Sequence, residues 1–371
     1  MKIVGISGAR PQFIKLAPII KELQNQGIEF YHVHTGQHYD ERMSTKIFSD
    51  LDIPSPDINL EIGSIIGYLQ VSKMIEKISD VLINQKPDAV MVIGDTNSTI
   101  AGALSSGFNS IPIIHIEAGM RSHDWTMPEE FNRIVTDRIS SLFVTSTKIG
   151  YDNLIQEGIN YEQILLSGDL NVDSINYIIS KKSSDLNLTN YPESFLLSTI
   201  HRKSNVDQKS NLLKIYNIFK ESSIPILLPL HPRTHKNMIK FELYDKFNAI
   251  ENLHIVPPLG YLDFISLIKK SEGVITDSGG IQKEAFILNK PCITLRETTE
   301  WIETVEYGAN RLLNLEQNQI LESIKEIKNK SFNVTAKHPY GDGKSAVKIV
   351  SFIKEKLFKK QVKFEDNIKR K

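Results

Sequence analysis

Short runs of apolar residues alternate along the chain with longer segments in which apolar positions recur at helical spacing. This alternation is typical of βαβ units, in which helices connect parallel strands. A first series of strands is predicted at residues 3–6, 30–34, 89–93, 111–116 and 142–145, and a second at 195–199, 224–229, 253–256, 273–276 and 291–295. Helices are predicted at 13–26, 65–84, 98–107, 130–139, 171–180 and 345–357. The pattern therefore predicts an α/β protein with two parallel sheets.

A polar stretch without periodicity, residues 181–187, separates the two series and reads as a connection. We predict an N-terminal Rossmann-like domain over residues 1–170 and a C-terminal Rossmann-like domain over 171–344, with the segment 345–371 packing back on the first domain. In doubly wound sheets, ligands bind beyond the carboxyl ends of the strands. We therefore expect two doubly wound domains that face each other across a cleft, with functional side chains directly after the strands.

Composition and charge exclude several classes of protein. The chain has 44 basic and 44 acidic residues among 371, so its net charge gives no attraction to nucleic acid or to an anionic membrane. The N-terminus lacks the apolar region of a signal peptide, and no run approaches the ~18 apolar residues of a spanning helix. The single cysteine, Cys292, allows no internal disulfide. We expect a cytoplasmic protein without a membrane or nucleic-acid partner.

One strand end has the composition of an anion site. The predicted strand at 273–276 is followed by Asp277, Ser278, Gly279 and Gly280, and then by a helical pattern. Glycines let the backbone approach a ligand closely, and the N–H groups at a helix start favour an anion. Glu284 lies about one turn into the helix, where it could bind sugar hydroxyls. The hypothesis is a diphosphate site with a ribose contact; the alternative is an ordinary strand–helix turn capped by serine.

Cationic side chains follow the first strand of the chain. Gly8 permits a tight turn there, and Arg10 and Lys15 place two cations beside the start of the next helix. A phosphate pocket requires this combination. Surface positions are the commoner fate of such residues, but the strand end favours the phosphate role.

The second series of strands adds imidazole and aromatic side chains. His201 and Arg202 directly follow the strand at 195–199, and His231 likewise follows the next strand, at 224–229. Such pairs could hold a phosphate oxygen, although a lone His is more often structural. Phe264 could pack against a base, with core packing as the default.

Three acids follow strands or begin helices in the first domain. Asp95 comes after the strand at 89–93, and Glu117 follows the strand at 111–116. If these strands are neighbours, they lie ~4.8 Å apart, and the two carboxylates repel, so that one holds a proton near neutrality. Such a pair suits proton abstraction and donation, whereas Asp95 alone could simply cap the next helix. Glu129 is a third acid, which its place at a helix start also explains.

Other chemistries lack support in the sequence. No cluster has the ligand spacing of a zinc site, no G-x-G-x-x-G follows the first strand, and no P-loop is present. We predict no metal and no cofactor.

The motifs, taken in order, resemble those of UDP-N-acetylglucosamine 2-epimerases. They are GARP at 8–11 with Lys15, GDT at 94–96, HIEAGMR at 115–121, PEE at 128–130, NR at 132–133, HR at 201–202 and DSGGIQ at 277–282 with Glu284. The resemblance spans residues 2 to about 310. It implies the two-domain fold of B-type glycosyltransferases, a homodimer, no metal or nicotinamide, and a part in polysaccharide biosynthesis. The implied isomerase inverts C2 by eliminating UDP to give 2-acetamidoglucal and adding UDP back, interconverting UDP-GlcNAc and UDP-ManNAc.

The resemblance also implies roles for individual residues. The expected catalytic residues are Asp95, Glu117, Glu129 and His201. The expected UDP-binding residues are Arg10, Lys15, His201, Arg202, Phe264, Ser278, Gly279, Gly280 and Glu284.

Departures from the family pattern leave the sugar less defined than the reaction. Residues 168–173 and 201–205 differ from the usual motifs, and Trp301 stands where an Arg is common, which removes one cation from the sugar or phosphate pocket. The alternatives are a 2-epimerase of a modified UDP-HexNAc such as UDP-2,3-diacetamido-2,3-dideoxyglucuronate, a hydrolysing 2-epimerase, a UDP-sugar glycosyltransferase and a non-catalytic UDP-sugar sensor. A glycosyltransferase would need an acceptor site, and a sensor would not need three acids.

Overall fold

The structure is a computed structural model that describes residues 1–37, 48–181, 191–334 and 339–358. The described residues fall into two compact units. The N-terminal unit comprises the described residues within Met1–Tyr177 and Pro339–Lys371, and the C-terminal unit comprises those within Ile178–His338. The domain boundaries predicted at residues 170 and 344 remain a prediction.

The N-terminal unit contains a parallel seven-stranded sheet with the order β3-β2-β1-β4-β5-β6-β7. Its strands are β1 Lys2–Ser7, β2 Glu29–His34, β3 Ile58–Asn59, β4 Ala89–Ile93, β5 Ile113–Ile116, β6 Leu142–Thr145 and β7 Ile164–Leu166. The strand order reverses between β1 and β4, which is the place where doubly wound sheets bind ligands. All five residues of β4 and all four of β5 are buried, as expected for central strands that are covered on both faces.

Helices connect these strands. They are α1 Arg10–Asn25, α2 Gly67–Gln85, α3 Asn97–Phe108, α4 Pro128–Ile139, α5 Lys148–Gln156 and α6 Leu170–Ser180. Local sequence explains their starts. Thr96 and Thr99 form a capping box at α3, while α4 begins with Pro128 followed by two acids, a residue order that favours a helix N-terminus.

The C-terminal unit repeats the design with a parallel six-stranded sheet of order β10-β9-β8-β11-β12-β13. Its strands are β8 Leu196–Thr199, β9 Ile226–Pro229, β10 Leu253–Val256, β11 Gly273–Thr276, β12 Cys292–Thr294 and β13 Asn310–Leu312. Its helices are α7 Lys203–Val206, α8 Lys209–Glu221, α9 Pro232–Lys240, α10 Tyr244–Asn248, α11 Tyr261–Lys270, α12 Gly279–Ile287, α13 Ile302–Glu306 and α14 Gln317–Lys328. Its core joins strand residues such as Ile226 and Ile275 to helix residues such as Phe219 and Phe247.

A last helix, α15 Ser345–Phe358, belongs to the N-terminal unit and contacts α1. The backbone N–H groups of Ser345 and Ala346 donate to the carboxylate of Asp173 at 3.2 and 2.9 Å, which caps the start of this helix. Residues 359–371 of the predicted C-terminal segment lie outside the described residues.

The predicted fold class, a doubly wound parallel α/β architecture, is confirmed in both units. All ten predicted strands are present, whereas β3, β7 and β13 were not predicted because two or three residues are too few to show a pattern. Cys292 is buried in β12, and burial raises the pKa of its thiol to about 12. None of the helices in the described part of the chain is long and apolar enough to cross a bilayer.

Candidate functional site

The carboxyl ends of β4 and β5 carry two acids side by side. The strands are neighbours, which meets the condition for the two acids to lie close together, and Ile93 pairs with Ile116 at their ends. The chain turns sharply after each strand, with φ of 66° at Gly94 and 70° at Glu117. A Cβ on Gly94 would lie 3.4 Å from Oε2 of Glu117, so the Glu117 carboxylate lies over the turn that precedes Asp95.

Each of these acids contacts its own cation. The Glu117 carboxylate forms an ion pair with the ammonium of Lys15, and Arg133 binds Asp95 through Nη2 and through Nε at 3.2 Å. The sequence predicted that the two carboxylates repel each other. The structure corrects this prediction, because each carboxylate has a cation that offsets its charge. The expected helix-capping alternative for Asp95 is also wrong, since Thr96 is the N-cap of α3.

Lys15 is a fixed cation of this cluster. Although burial alone would lower the pKa of Lys15, the carboxylates of Glu117, Asp169 and Asp95 raise it above its usual value of 10.5. The side chain is 14 % exposed, as is that of Glu117. Arg10, the first residue of α1, is exposed. Arg10 and Lys15 were the two cations predicted to bind a phosphate. In the structure, Lys15 forms an ion pair with the Glu117 carboxylate.

Arg133 also joins Asp95 to a buried acid on its own helix. Its Nη1 donates to Oε2 of Glu130 at 2.7 Å. Glu130 in turn accepts hydrogen bonds from the backbone N–H groups of Ser122 and His123, both at 2.9 Å. Burial opposes ionisation of Glu130, but these N–H groups, the Ser122 hydroxyl and Arg133 together lower its pKa. Glu130 therefore holds the loop that precedes α4.

The neighbouring acid, Glu129, has a different environment. It lies in the first turn of α4 and is exposed to solvent. The sequence did not distinguish the two adjacent glutamates. Arg133 was also missed as the partner of Asp95, although its position one helical turn after Glu130 places both side chains on one face of α4.

Gln12 connects the carboxyl end of β1 to the carboxyl end of β4 through hydrogen bonds. Its carbonyl accepts the N–H groups of Gly8 and Ala9 at 2.8 and 3.0 Å, and its amide donates to the carbonyl of Ile93 at 2.7 Å. Gly8 therefore lies in a turn that a buried side chain fixes, as a ligand-binding turn requires.

In the C-terminal unit, a buried carboxylate organises the end of β8. Asp277 accepts the backbone N–H groups of His201 and Arg202, each at 2.9 Å, and the amide of Asn205 at 3.1 Å. Its Oδ1 also lies 3.2 Å from Nδ1 of His201. Asp277 thus orients the His201 ring, whose side chain remains 35 % exposed.

A second imidazole lies against the first. The ring of His231 is centred 5.0 Å from that of His201, and its Nδ1 accepts the backbone N–H of Arg233 at 3.1 Å. Burial, together with the nearby His201 and Arg233, lowers the pKa of His231. The neutral tautomer with its N–H on Nε2 follows, because Nδ1 is occupied as an acceptor.

The start of α12 has the geometry predicted for an anion site. Ser278 is the N-cap residue, and Gly279 and Gly280 begin the helix. No heavy atom lies within 4 Å of a Cβ built on Gly280, and its φ is not in the left-handed region. The fold itself would therefore accept a side chain at position 280, so the glycine keeps the space at the helix start open.

Glu300 occupies the corresponding space at Gly279. Its Oε1 lies 1.9 Å from a Cβ built on that glycine, and its other oxygen contacts Arg296 at 2.8 Å. Glu284 is half-buried further along α12. Phe264 is 8 % exposed within α11, so core packing accounts for its position and a contact with uracil remains a prediction.

Across the ranges that the structure describes, no three His, Cys, Asp or Glu side chains are grouped to hold a metal ion. The described residues place carboxylates paired with cations in one unit, and imidazoles beside a glycine-rich helix start in the other.

Comparisons with known proteins show that the chain is similar to UDP-sugar 2-epimerases. The family model described as UDP-N-acetylglucosamine 2-epimerase matches residues 21–354. A UDP-N-acetylglucosamine 2-epimerase homolog of Methanococcus maripaludis is 45 % identical over 361 residues, which cover 95 % of this chain and 99 % of the relative. A UDP-2,3-diacetamido-2,3-dideoxy-D-glucuronate 2-epimerase of Pseudomonas aeruginosa is 39 % identical over 359 residues, with coverage of 95 % and 99 %.

Solved structures are similar as well. The crystal structure of Methanocaldococcus jannaschii UDP-GlcNAc 2-epimerase in complex with UDP-GlcNAc and UDP has a TM-score of 0.83 at 41 % identity, covering 96 % of this chain and 100 % of that chain. A lipopolysaccharide outer core galactosyltransferase that is 11 % identical has a TM-score of 0.56, with coverage of 96 % and 100 %. The second likeness concerns the fold alone and agrees with the predicted B-type glycosyltransferase fold.

Proposed function

Because this chain belongs to the UDP-N-acetylglucosamine 2-epimerase family, we propose that it interconverts UDP-GlcNAc and UDP-ManNAc without net hydrolysis. The family predicted from the motifs is confirmed, and with it the class of enzyme, an isomerase. The observation that carries the proposal is the pair of acids at the ends of β4 and β5, each with its own cation. Inversion at C2 requires a base on one face of the sugar and an acid on the other, which is work for paired carboxylates.

The acid–base steps are assigned to the N-terminal unit. Asp95, Glu117 and Glu129 are the proposed proton carriers for removal of the C2 proton and its return. Arg133 and Lys15 offset the charges of Asp95 and Glu117, so each carboxylate has a defined orientation before substrate binds. Glu129 is exposed at its helix start and depends less on a fixed partner.

Retention of UDP is assigned mainly to the C-terminal unit, and Arg10 and Lys15 are the proposed UDP contacts that belong to the N-terminal unit. The C2 proton is weakly acidic, so departure of UDP must share the cost of breaking the C–H bond. The N–H groups at the start of α12 and the exposed ring of His201 would stabilise the charge that develops on the diphosphate. UDP that stays bound can add back to the glucal in an effectively unimolecular step. The other proposed UDP contacts are Arg10, Lys15, Arg202, Phe264, Ser278, Gly279, Gly280 and Glu284.

A second candidate substrate is a UDP-2,3-diacetamido-2,3-dideoxyglucuronate. The 39 % identical relative from Pseudomonas aeruginosa is named for that sugar. At position 301 the chain departs from the family pattern, which has an Arg there; the Trp301 ring packs on the ammonium of the buried Lys283, 4.0 Å from the ring centre. The reaction would be the same, and only the substituents at C3 and C5 would differ.

We further propose a homodimer in the cytoplasm that supplies nucleotide sugars for polysaccharide biosynthesis. The support is the family resemblance, the balanced charge of the chain and its single buried cysteine, which suits a reducing compartment. Light scattering of the purified protein gives the oligomeric state, and a monomeric mass would contradict the proposed dimer.

The test of function is proton NMR of UDP-GlcNAc in deuterium oxide with the purified protein and no acceptor. We expect deuterium at C2 and the appearance of UDP-ManNAc, and the variant Asp95→Asn with Glu117→Gln should abolish both. Stoichiometric UDP with free N-acetylmannosamine would mean a hydrolysing epimerase. Exchange that occurs only in the diacetamidoglucuronate would select the second candidate. UDP release that occurs only in a second sample with an added acceptor would mean a glycosyltransferase. Binding of the UDP-sugar without any exchange would mean a sensor.

A further inference from the structure

His115 lies in β5 with both ring nitrogens on hydrogen-bond acceptors. Nδ1 is 2.7 Å from Oδ1 of Asp137, and Nε2 is 2.8 Å from the backbone carbonyl oxygen of Gly94. The side chains of His115 and Asp137 are 0 % and 1 % exposed, so water does not replace either contact. The family motifs did not assign a role to this histidine.

A neutral imidazole has only one N–H group. It could donate to one of these acceptors, and its other nitrogen would then face a buried oxygen with a lone pair, which leaves two buried acceptors unsatisfied. An imidazolium donates to both. The geometry around His115 therefore requires two ring protons or a proton on Asp137.

The surroundings of Asp137 decide between these two arrangements. Its second oxygen, Oδ2, lies 2.7 Å from Nη1 of Arg121 and accepts the backbone N–H of Gly119 at 3.1 Å. Burial opposes ionisation, but the Arg121 guanidinium, whose charge does not depend on the state of His115, acts to lower the pKa of Asp137. Arg121 also binds Glu157 through two hydrogen bonds, at 2.8 and 2.9 Å. Two cations then face two anions, which balances the charge of this network.

We propose that His115 is a protonated positioning residue that fixes the two turns carrying the acids. Its Nε2–H group holds the carbonyl of Gly94, whose turn precedes Asp95. Through Asp137, it also holds the N–H of Gly119, whose turn follows Glu117. The backbone φ is 66° at Gly94, 70° at Glu117 and 80° at Gly119. A glutamate in this left-handed region is strained, and the buried charge network keeps it there.

The assignment of Asp95 and Glu117 as acids rests on the proposed function, whereas the charge of His115 does not. The first experiment therefore uses no substrate. Nitrogen-15 NMR of uniformly labelled, wild-type protein near neutral pH distinguishes protonated from unprotonated ring nitrogens. His115 should show two protonated nitrogens.

His32 is the internal reference for this spectrum. It is also buried in the same sheet, where Nε2 contacts the Ser7 hydroxyl at 2.7 Å, and burial together with His34 lowers its pKa to about 3. His32 should thus show a neutral ring in the same sample. Two protonated nitrogens at His115 beside one at His32 would support the proposal, and one protonated nitrogen at His115 would overturn it.

Two substitutions test the positioning role. The amide nitrogen of Gln can occupy the place of imidazole Nε2, and that of Asn the place of Nδ1. His115→Gln keeps a donor for Gly94, whereas His115→Asn keeps only the donor for Asp137. We expect His115→Asn to lower kcat by about 10²-fold, the effect of a small misplacement of reacting groups, and His115→Gln to lower it less.

The expected KM for the UDP-sugar is nearly unchanged in both variants, because UDP retention is assigned mainly to the other unit. Equal losses of kcat in the two variants, or a loss of UDP affinity as large as the loss of kcat, would make His115 a purely structural residue. If the wild-type protein shows no epimerisation, the NMR result still stands, and only the link to catalysis fails.

Discussion

The two strand-end regions that carry the functional residues are constructed differently. In the N-terminal unit, Asp95 and Glu117 are held by charged side chains, namely Arg133 and Lys15. In the C-terminal unit, the acid at the strand end is Asp277, and it is held largely by backbone N–H groups. One region thus exposes carboxylates with compensated charge, and the other exposes a helix start and an imidazole.

The difference matches the chemistry that each region is proposed to perform. A proton carrier must change charge during the reaction, and a neighbouring cation limits the cost of its anionic form. A diphosphate keeps its charge, and backbone N–H groups at a helix start bind it without a compensating anion. Asp277 is consistent with this division, because it is buried and its oxygens accept hydrogen bonds from backbone and side-chain N–H donors.

The largest expected effect is a loss of turnover on substitution of the acids in the N-terminal unit. Asp95→Asn and Glu117→Gln keep the size of each side chain but remove its proton chemistry, so each should lower kcat by roughly 10²–10⁴-fold. The affinity for UDP should change much less, because most of the proposed UDP contacts lie in the other unit. Coupled assays and calorimetry measure the two quantities. Glu76→Gln, an exposed position on α2, is the matched control. Near wild-type turnover in both acid variants would place the catalytic acids elsewhere, with Glu129 as the next candidate.

The second effect tests whether the cations of the N-terminal unit are structural as well. Arg133 is 12 % exposed and joins Asp95 to the buried Glu130. Arg133→Leu leaves two carboxylates without their partner and should lower the free energy of unfolding by about 3 kcal/mol. Urea denaturation measures this value.

The control for Arg133 is the exposed pair between Arg233 and Asp207 in the C-terminal unit, whose side chains are 37 % and 39 % exposed. Arg233→Leu should cost much less than Arg133→Leu, since exposed ion pairs contribute little. Equal costs for the two substitutions would show that burial does not distinguish the two pairs.

The third effect concerns UDP at the C-terminal unit. UDP at about 100 times its Kd should stabilise the wild-type protein by about 2.7 kcal/mol. Gly280→Val places a side chain where the fold leaves space, so the variant should fold normally and lose the UDP-induced rise in Tm. Gly67→Val is the control, because Gly67 also begins a helix and its nearest atom to a built Cβ lies 3.9 Å away. A full UDP response in Gly280→Val would remove the anion-site assignment.

The smallest effect is a difference in acid stability. The folded structure lowers the pKa of the buried Asp137 below 3.8 and that of Glu130 below 4.5. Such groups stabilise the fold above their unfolded pKa values, and this contribution is lost as pH falls through the folded values. In the C-terminal unit, the acids with a lowered pKa include Asp207, which is exposed, and Glu326, which is half-buried.

Hydrogen exchange as the pH is lowered below about 4.5 measures this difference. The amides of α4 and β5 should lose protection before those of β8 and β11. Simultaneous loss in both sheets, or earlier loss in the C-terminal unit, would contradict the expected role of the buried acids.

Much of the fold was predictable because hydrophobic spacing reports local structure directly. The ten predicted strands and the helices between them follow from apolar runs and helical periodicity, and the strand order of doubly wound sheets then places Asp95, Glu117, His201 and Ser278 at strand ends. The shortest strands escaped prediction, since Ile58–Asn59 pairs with β2 through only two residues and owes its conformation to that neighbour.

The sequence by itself determined the α/β pattern, the glycine-rich helix start after β11 and the set of motifs that indicates the family. Only the tertiary structure decided which charges meet. Lys15 and Glu117 are 102 residues apart, Arg133 and Asp95 are 38 apart, and His115 finds its acceptors 21 and 22 residues away. These pairings depend on strand register and on the rotation of each helix against the sheet. Hydrophobic burial fixes both, and the spacing of charged residues along the chain carries no record of either.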